Sequence, residues 1–152
     1  MTPSAPIALG CDHAGFELKE ILKSFLTDNG FDLEDCGTDG TDSVDYTEFG
    51  ARVARKVASG QYQRAVLICG TGLGMSMIAN RFTGVRAALC NDLFSAIMCR
   101  RHNDANLLVL GGRVVGRDLA LEILRAWLDT PFDGGRHKER IANIDIQAKE
   151  GA

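Results

Sequence analysis

The chain has 152 residues, enough for a single domain over 1–152 whose core buries roughly 70% of the unfolded surface. Its formal charge is −3, with no basic stripe, so nucleic acid is not an expected partner. No apolar run approaches membrane-spanning length, Met1–Pro6 lacks the charged-then-apolar order of a secretory signal, and five cysteines without a C-x-x-C pair read neither as a disulfide framework nor as a zinc site. A cytoplasmic protein that engages no membrane is expected.

Short apolar segments alternate with stretches of helical spacing. Ile7–Gly10 reads as a first strand. Leu18, Ile21, Leu22, Phe25 and Leu26 then repeat at i, i+3, i+4, i+7 and i+8, one face of a helix. Phe31–Cys36 is a second strand, and Phe49, Val53 and Val57 line a second helix. Ala65–Cys69 is the third strand, with a helix beginning near Gly74. Val85–Cys90 is the fourth, followed by a helix capped near Asp92. Asn106–Leu110 is the fifth, and Leu119, Ile123 and Trp127 mark the next helix. Pro131 breaks that run, and Gly134-Gly135 introduces a last helix through Ile141 and Ile144. Such alternation predicts a three-layer α/β/α, Rossmann-like fold around a five-stranded parallel sheet with right-handed crossovers.

Parallel sheets bind ligands at the carboxyl ends of their strands. Cys11, Cys36, Cys69 and Cys90 all fall there; three read as small buried residues. Cys69 differs because Gly70-Thr71-Gly72-Leu73-Gly74 follows it, a turn able to aim backbone N–H groups at an anion beside the thiol. The first strand runs into Asp12-His13, a carboxylate and an imidazole at the same edge, which also suits a plain helix cap.

The three histidines, His13, His102 and His137, each lie in a polar, turn-like cluster. None shows the i, i+3 or i, i+4 pairing of metal ligands, so no metal or other cofactor is expected. Arg113 follows the fifth strand, and Arg136 and Arg140 share a helix face; guanidinium groups so placed suit a phosphate. The dinucleotide fingerprint fails because Met75 stands where its third glycine belongs, and a cysteine phosphatase would need arginine at that same position.

Gly10-Cys11-Asp12-His13-Ala14-Gly15, Cys69 to Gly74, Arg101-His102-Asn103-Asp104-Ala105-Asn106, Gly111-Gly112-Arg113-Val114-Val115-Gly116 and Gly134-Gly135-Arg136-His137 are specific in this order and spacing. With them the chain resembles, from Ile7 to about Ile144, the ribose-5-phosphate isomerase B family, which includes allose- and galactose-6-phosphate isomerases. The resemblance implies metal-independent interconversion of ribose 5-phosphate and ribulose 5-phosphate through an enediolate. Cys69 would be the base, and amides from Gly70, Gly72, Leu73 and Gly74 would hold the oxyanion while Thr71 assists proton movement. His102 with Asp12 would open the sugar ring, Asn103 would hold hydroxyls, and His13, Arg113, Arg136 and Arg140 would take the phosphate. Part of the family carries glutamate where this chain has Met75, so this chain resembles the cysteine type. Threonine follows Asp45-Tyr46 where relatives usually have proline, a departure at a helix entrance. A hexose 6-phosphate substrate, a non-catalytic sugar-phosphate sensor and a thiol phosphatase are the alternatives. Tyr46 and Met75 are candidates for setting pocket depth.

The fourth helix runs back from the carboxyl edge, so His102 and Asn103 belong at the opposite edge from Cys69, about 16 Å away along a five-residue strand. A neighbouring chain is therefore expected to supply them. That makes a homo-oligomer, with a dimer as the minimal catalytic unit and a tetramer equally compatible. The chain of origin of Arg136 and Arg140 stays open, because the loop Thr130–Gly135 is long enough to carry them back.

Overall fold

The computed structural model describes residues 5–150; the ends of the expected 1–152 range lie outside the described residues. Five strands, β1 (Ile7–Cys11), β2 (Leu33–Asp35), β3 (Arg64–Cys69), β4 (Ala87–Leu89) and β5 (Leu107–Gly111), form one parallel sheet in the order β2-β1-β3-β5-β4. Six helices accompany it: α1 (Phe16–Asp28), α2 (Tyr46–Ala58), α3 (Leu73–Ala79), α4 (Leu93–Asn103), α5 (Arg117–Asp129) and α6 (Arg136–Glu150). This is the three-layer Rossmann-like arrangement, with a single 3₁₀ turn at His13–Gly15 that the apolar pattern does not announce.

Strand alternation builds two cores. Ile7, Leu9, Val66, Ile68, Leu108 and Leu110 face one side, against Leu22 and Leu26 of α1, Ala96 of α4 and Ile123, Leu124 and Trp127 of α5. Ala8, Ala65, Leu67, Leu107 and Val109 face the other, against Val53, Ala54 and Val57 of α2 and Met75 and Ala79 of α3. Each such leucine, isoleucine or valine contributes about 1.5–3 kcal/mol by leaving water. Contact on that second side is close: a Cβ on Gly10 would stand 2.7 Å from Val53 Cγ2, so glycine lets α2 press onto β1.

The departures from the sequence reading have local causes. β2 and β4 are shorter than Phe31–Cys36 and Val85–Cys90 because both are edge strands with a partner on one side only. β5 begins one residue late because the Asn106 carboxamide turns inward, accepting from the Arg86 N–H and donating to the Gly84 carbonyl. On α5 the buried stripe is Ala120, Ile123, Leu124, Trp127 and Leu128, leaving Leu119 exposed. The Asp92 cap is as expected: its Oδ1 accepts the Ser95 N–H at 2.7 Å. No helix among the described residues is long and apolar enough to cross a membrane.

Candidate active site

The strand order makes the crevice. From β1 the chain steps outward to β2 and then returns to the other side of β1 as β3, so the loops after β1 and β3 diverge at the carboxyl edge. Such a topological switch point is where open α/β sheets hold ligands. Cys11 pairs with Ile68 in the β1–β3 register, which brings Asp12 and His13 beside Cys69. Across β3, Cys69 pairs with Gly111, which brings Arg113 to the same place.

Cys69 ends β3 with 5% of its surface exposed, and its Sγ accepts the Gly72 N–H at 3.2 Å. The turn holds this geometry because Gly72 adopts φ +80°, a left-handed conformation, where a Cβ would lie 2.4 Å from Leu89 Cδ1. Leu73 N–H is engaged as well, by Thr71 Oγ1 at 3.3 Å. Two of the amides expected to face an anion, those of Gly72 and Leu73, are thus engaged inside the turn itself. The carbonyls of Cys69 and Gly70 accept from the Gly112 and Arg113 N–H groups at 2.8 and 2.9 Å, clamping the β3 and β5 loops together. The Arg113 side chain runs alongside Gly70.

Asp12 is buried, and its Oδ1 caps the 3₁₀ turn by accepting the Gly15 N–H at 3.0 Å, which is the structural use the sequence also allowed. His13 Nδ1 accepts the Val44 N–H at 3.2 Å, so its proton resides on Nε2, free for a ligand oxygen. That contact was invisible in the sequence because the partner is a backbone amide 31 residues away. Tyr46 stands partly exposed at the start of α2 with its ring against Gly74. Met75 is wholly buried beneath α2, beside Gly50 and Ile78, so it presents no surface to a ligand and its expected part in pocket depth is corrected.

The remaining expected residues lie elsewhere. His102 and Asn103 end α4, just before Ala105 and Asn106, and the Asn106 carbonyl accepts from Ala65 at the amino edge of β3. Ala65 to Cys69 spans about 13 Å of strand. Arg140 does not return to the carboxyl edge. With His102, Asn103, His137, Ile141 and Ile144 it lines a hollow of about 350 Å³ between the end of α4 and the start of α6. Arg136 opens α6 and is exposed to solvent on the same side. Desolvation, with His102, Arg136 and Arg140 as further causes, holds the His137 imidazole below its usual pKa. The sequence-derived set therefore divides in two: Cys69, Thr71, Asp12, His13 and Arg113 at one edge, His102, Asn103 and Arg140 at the other.

Fold and site together define a Rossmann-like protein whose ligand edge carries a thiol in an amide-lined turn, flanked by a histidine and an arginine. The family model described as Ribose/Galactose Isomerase matches residues 7–144. Ribose-5-phosphate isomerase B of Escherichia coli (strain K12) is 45% identical over 138 residues, covering 91% of this chain and 93% of that protein. The ribose-5-phosphate isomerase B structure from Clostridium thermocellum superposes with a TM-score of 0.94 at 48% identity, covering 97% of this chain and 99% of that one. That of Mycoplasma genitalium with bound ribulose-5-phosphate gives 0.92 at 36% identity, with 98% and 99% covered. The chain belongs to the ribose/galactose isomerase family, and its activity is that of an aldose–ketose isomerase.

Proposed function

We propose that the chain interconverts ribose 5-phosphate and ribulose 5-phosphate through an enediolate, without a metal, in a homodimer whose active site is shared between protomers. The observation that carries this reading is the Cys69 sulfur at the β1/β3 switch point, within a glycine turn and beside Asp12, His13 and Arg113. His13 Nε2 and Arg113 hold the phosphate, joined by Arg136 and Arg140 of the neighbouring protomer. Binding the phosphate remote from the reacting carbons fixes C1 and C2 against the sulfur.

His102 of the neighbour and the second carboxylate oxygen of Asp12 move the protons that open the furanose, while Asn103 holds sugar hydroxyls. The Cys69 thiolate takes the C2 proton, the electron pair forms the C1–C2 double bond, and charge develops on O1. The amides of Gly70, Thr71 and Gly74 meet that charge. Each preorganised donor of this kind contributes roughly 3 kcal/mol to lowering the barrier. The Thr71 hydroxyl passes a proton between O2 and O1, and the Cys69 thiol returns its proton to C1, so the ketose forms with no net exchange of atoms.

The dimer is supported by the division of the residue set between two edges and by the surface around the turn. Leu73, Met77, Leu93, Phe94 and Val114 are exposed apolar side chains that all follow the carboxyl ends of strands. Subunit exchange between Cys69→Ala and His102→Ala proteins tests the shared site. Each homodimer should be inactive and the mixture should regain roughly a quarter of the wild-type rate, since half the dimers are hybrids with one intact site of two. Exchanged hybrids without activity would refute sharing. Ketose formation from a panel of pentose 5-phosphates and hexose 6-phosphates, with and without a chelator, tests substrate and metal independence; release of inorganic phosphate would instead indicate a phosphatase.

A further inference from the structure

The loop between α5 and α6 is tied to the end of α4 by contacts that involve no ligand. The Asp133 N–H donates to the Arg101 carbonyl at 3.0 Å, and the Arg101 guanidinium grips the Asp133 carboxylate at 3.0 and 3.3 Å. Gly134 and Gly135, at φ +66° and +55°, then reverse the chain so that α6 begins over α4. His137 consequently stacks on His102, with ring centroids 4.3 Å apart and planes within 11°. One donor atom from each of His102, Asp133 and His137 lies within 4.8 Å of the other two. Helical spacing gives no hint of this cluster, because its members come from two helices and a loop.

We propose that His102, Asp133 and His137 form an inhibitory site for a late first-row divalent cation such as Zn²⁺. Two imidazoles and a carboxylate are the donor set such ions prefer, and three protein ligands leave a fourth position for water or a sugar oxygen. Zinc–nitrogen bonds of about 2.0–2.1 Å place tetrahedral donors about 3.3 Å apart, so a pair 4.8 Å apart closes by about 1.5 Å, and the rings swing out of their parallel stack to aim both in-plane lone pairs at one ion, a side-chain rotation at a partly exposed surface. The positive groups facing the cluster are Arg101, Arg136 and Arg140. Arg101 already occupies the carboxylate of this three-residue cluster, so metal and guanidinium compete for Asp133. Occupancy removes His102 from sugar chemistry, a consequence that rests on the role proposed for His102 above; the binding itself does not.

The test is a Zn²⁺ titration of the intact protein followed through the imidazole ¹⁵N signals of its three histidines, with turnover measured in parallel. His102 and His137 should shift together and saturate at one ion per chain, with His13 unmoved and turnover falling in step. His137→Ala should abolish the shift at His102, and Asp133→Asn should weaken binding at least about tenfold. Arg101→Gln, by releasing the carboxylate, should tighten binding, which a merely structural role for that ion pair does not produce. Absence of any joint shift, or a shift that survives His137→Ala, overturns the metal site and leaves the isomerase reading intact. Joint saturation with unchanged turnover overturns the inhibitory claim and with it the role of His102.

Discussion

Lys19 shows how far a single residue can depart from its sequence pattern. It lies between the apolar positions of α1, yet its side chain is only 2% exposed, reaching Asp35 and Glu20 at 2.8 Å and the Thr38 carbonyl at 3.0 Å. Burial opposes its charge, but the bonds to Asp35 and Glu20 outweigh burial and hold its pKa above the ordinary lysine value. Asp35 is the mirror case: desolvation pushes its carboxyl up, and hydrogen bonds from Lys19, Lys23 and the Gly37 N–H pull it further down, to a net lowering. A carboxylate with a depressed folded pKa stabilises fully above its unfolded value of 3.8 and loses that contribution as pH falls through the folded value. Asp35→Asn should therefore lower stability at neutral pH by about 2 kcal/mol, between the values for exposed and buried pairs. Urea unfolding across pH should also show a flatter acid limb; an unchanged limb would mean the pair contributes nothing. The strand-end cysteines were easier to read. Burial pushes the Cys11 thiol up to about 12 and Cys36 to about 11, as expected of inert core residues.

At the scale of elements, what was legible is what the local pattern determines. The five strands, the apolar stripes of α1 and α2 and the Asp92 cap follow from periodicity and side-chain chemistry within a few residues. What was not legible depends on contacts distant in sequence. The Asn80 carboxamide, for instance, pairs with both the N–H and the C=O of Ala87 and so closes the free edge of β4, an edge that exists only once β5 has inserted beside β3. The candidate site divides in the same way. The Cys69 turn was readable because glycine spacing forecasts a tight turn after a strand, whereas the His13–Val44 contact and the His102–His137 stack required the assembled fold. The turn yields a sharp expectation. Gly72→Ala forces an L residue into a left-handed conformation costing about 1–2 kcal/mol and drives a methyl group into Leu89, so the N–H swings away from Cys69 Sγ. Turnover should fall about 10²–10³-fold while thermal unfolding shifts by only a few degrees. Near-normal turnover would show that the Gly72 contact to sulfur is dispensable.

For the whole molecule the question is why the residues proposed for catalysis and phosphate binding lie on two edges that one chain cannot join. β3 separates Cys69 from the end of α4, and α6 stays with α4, so His102 and Arg140 travel together, away from the sulfur. A second copy resolves this if it covers the carboxyl edge. Leu73 and Met77, one turn apart on α3, and Phe94, 72% exposed at the start of α4, would otherwise remain in water there. Phe94→Asp sets a charge at that face on a side chain that is mostly in solvent. On the shared site proposed above, it should convert dimers to monomers by sedimentation, leave circular dichroism unchanged and reduce turnover by at least about 100-fold, since each monomer would keep its thiol but lose the other protomer's imidazole. A monomer that isomerises at the wild-type rate would place the whole reaction within one chain and require His102 to have no part in it.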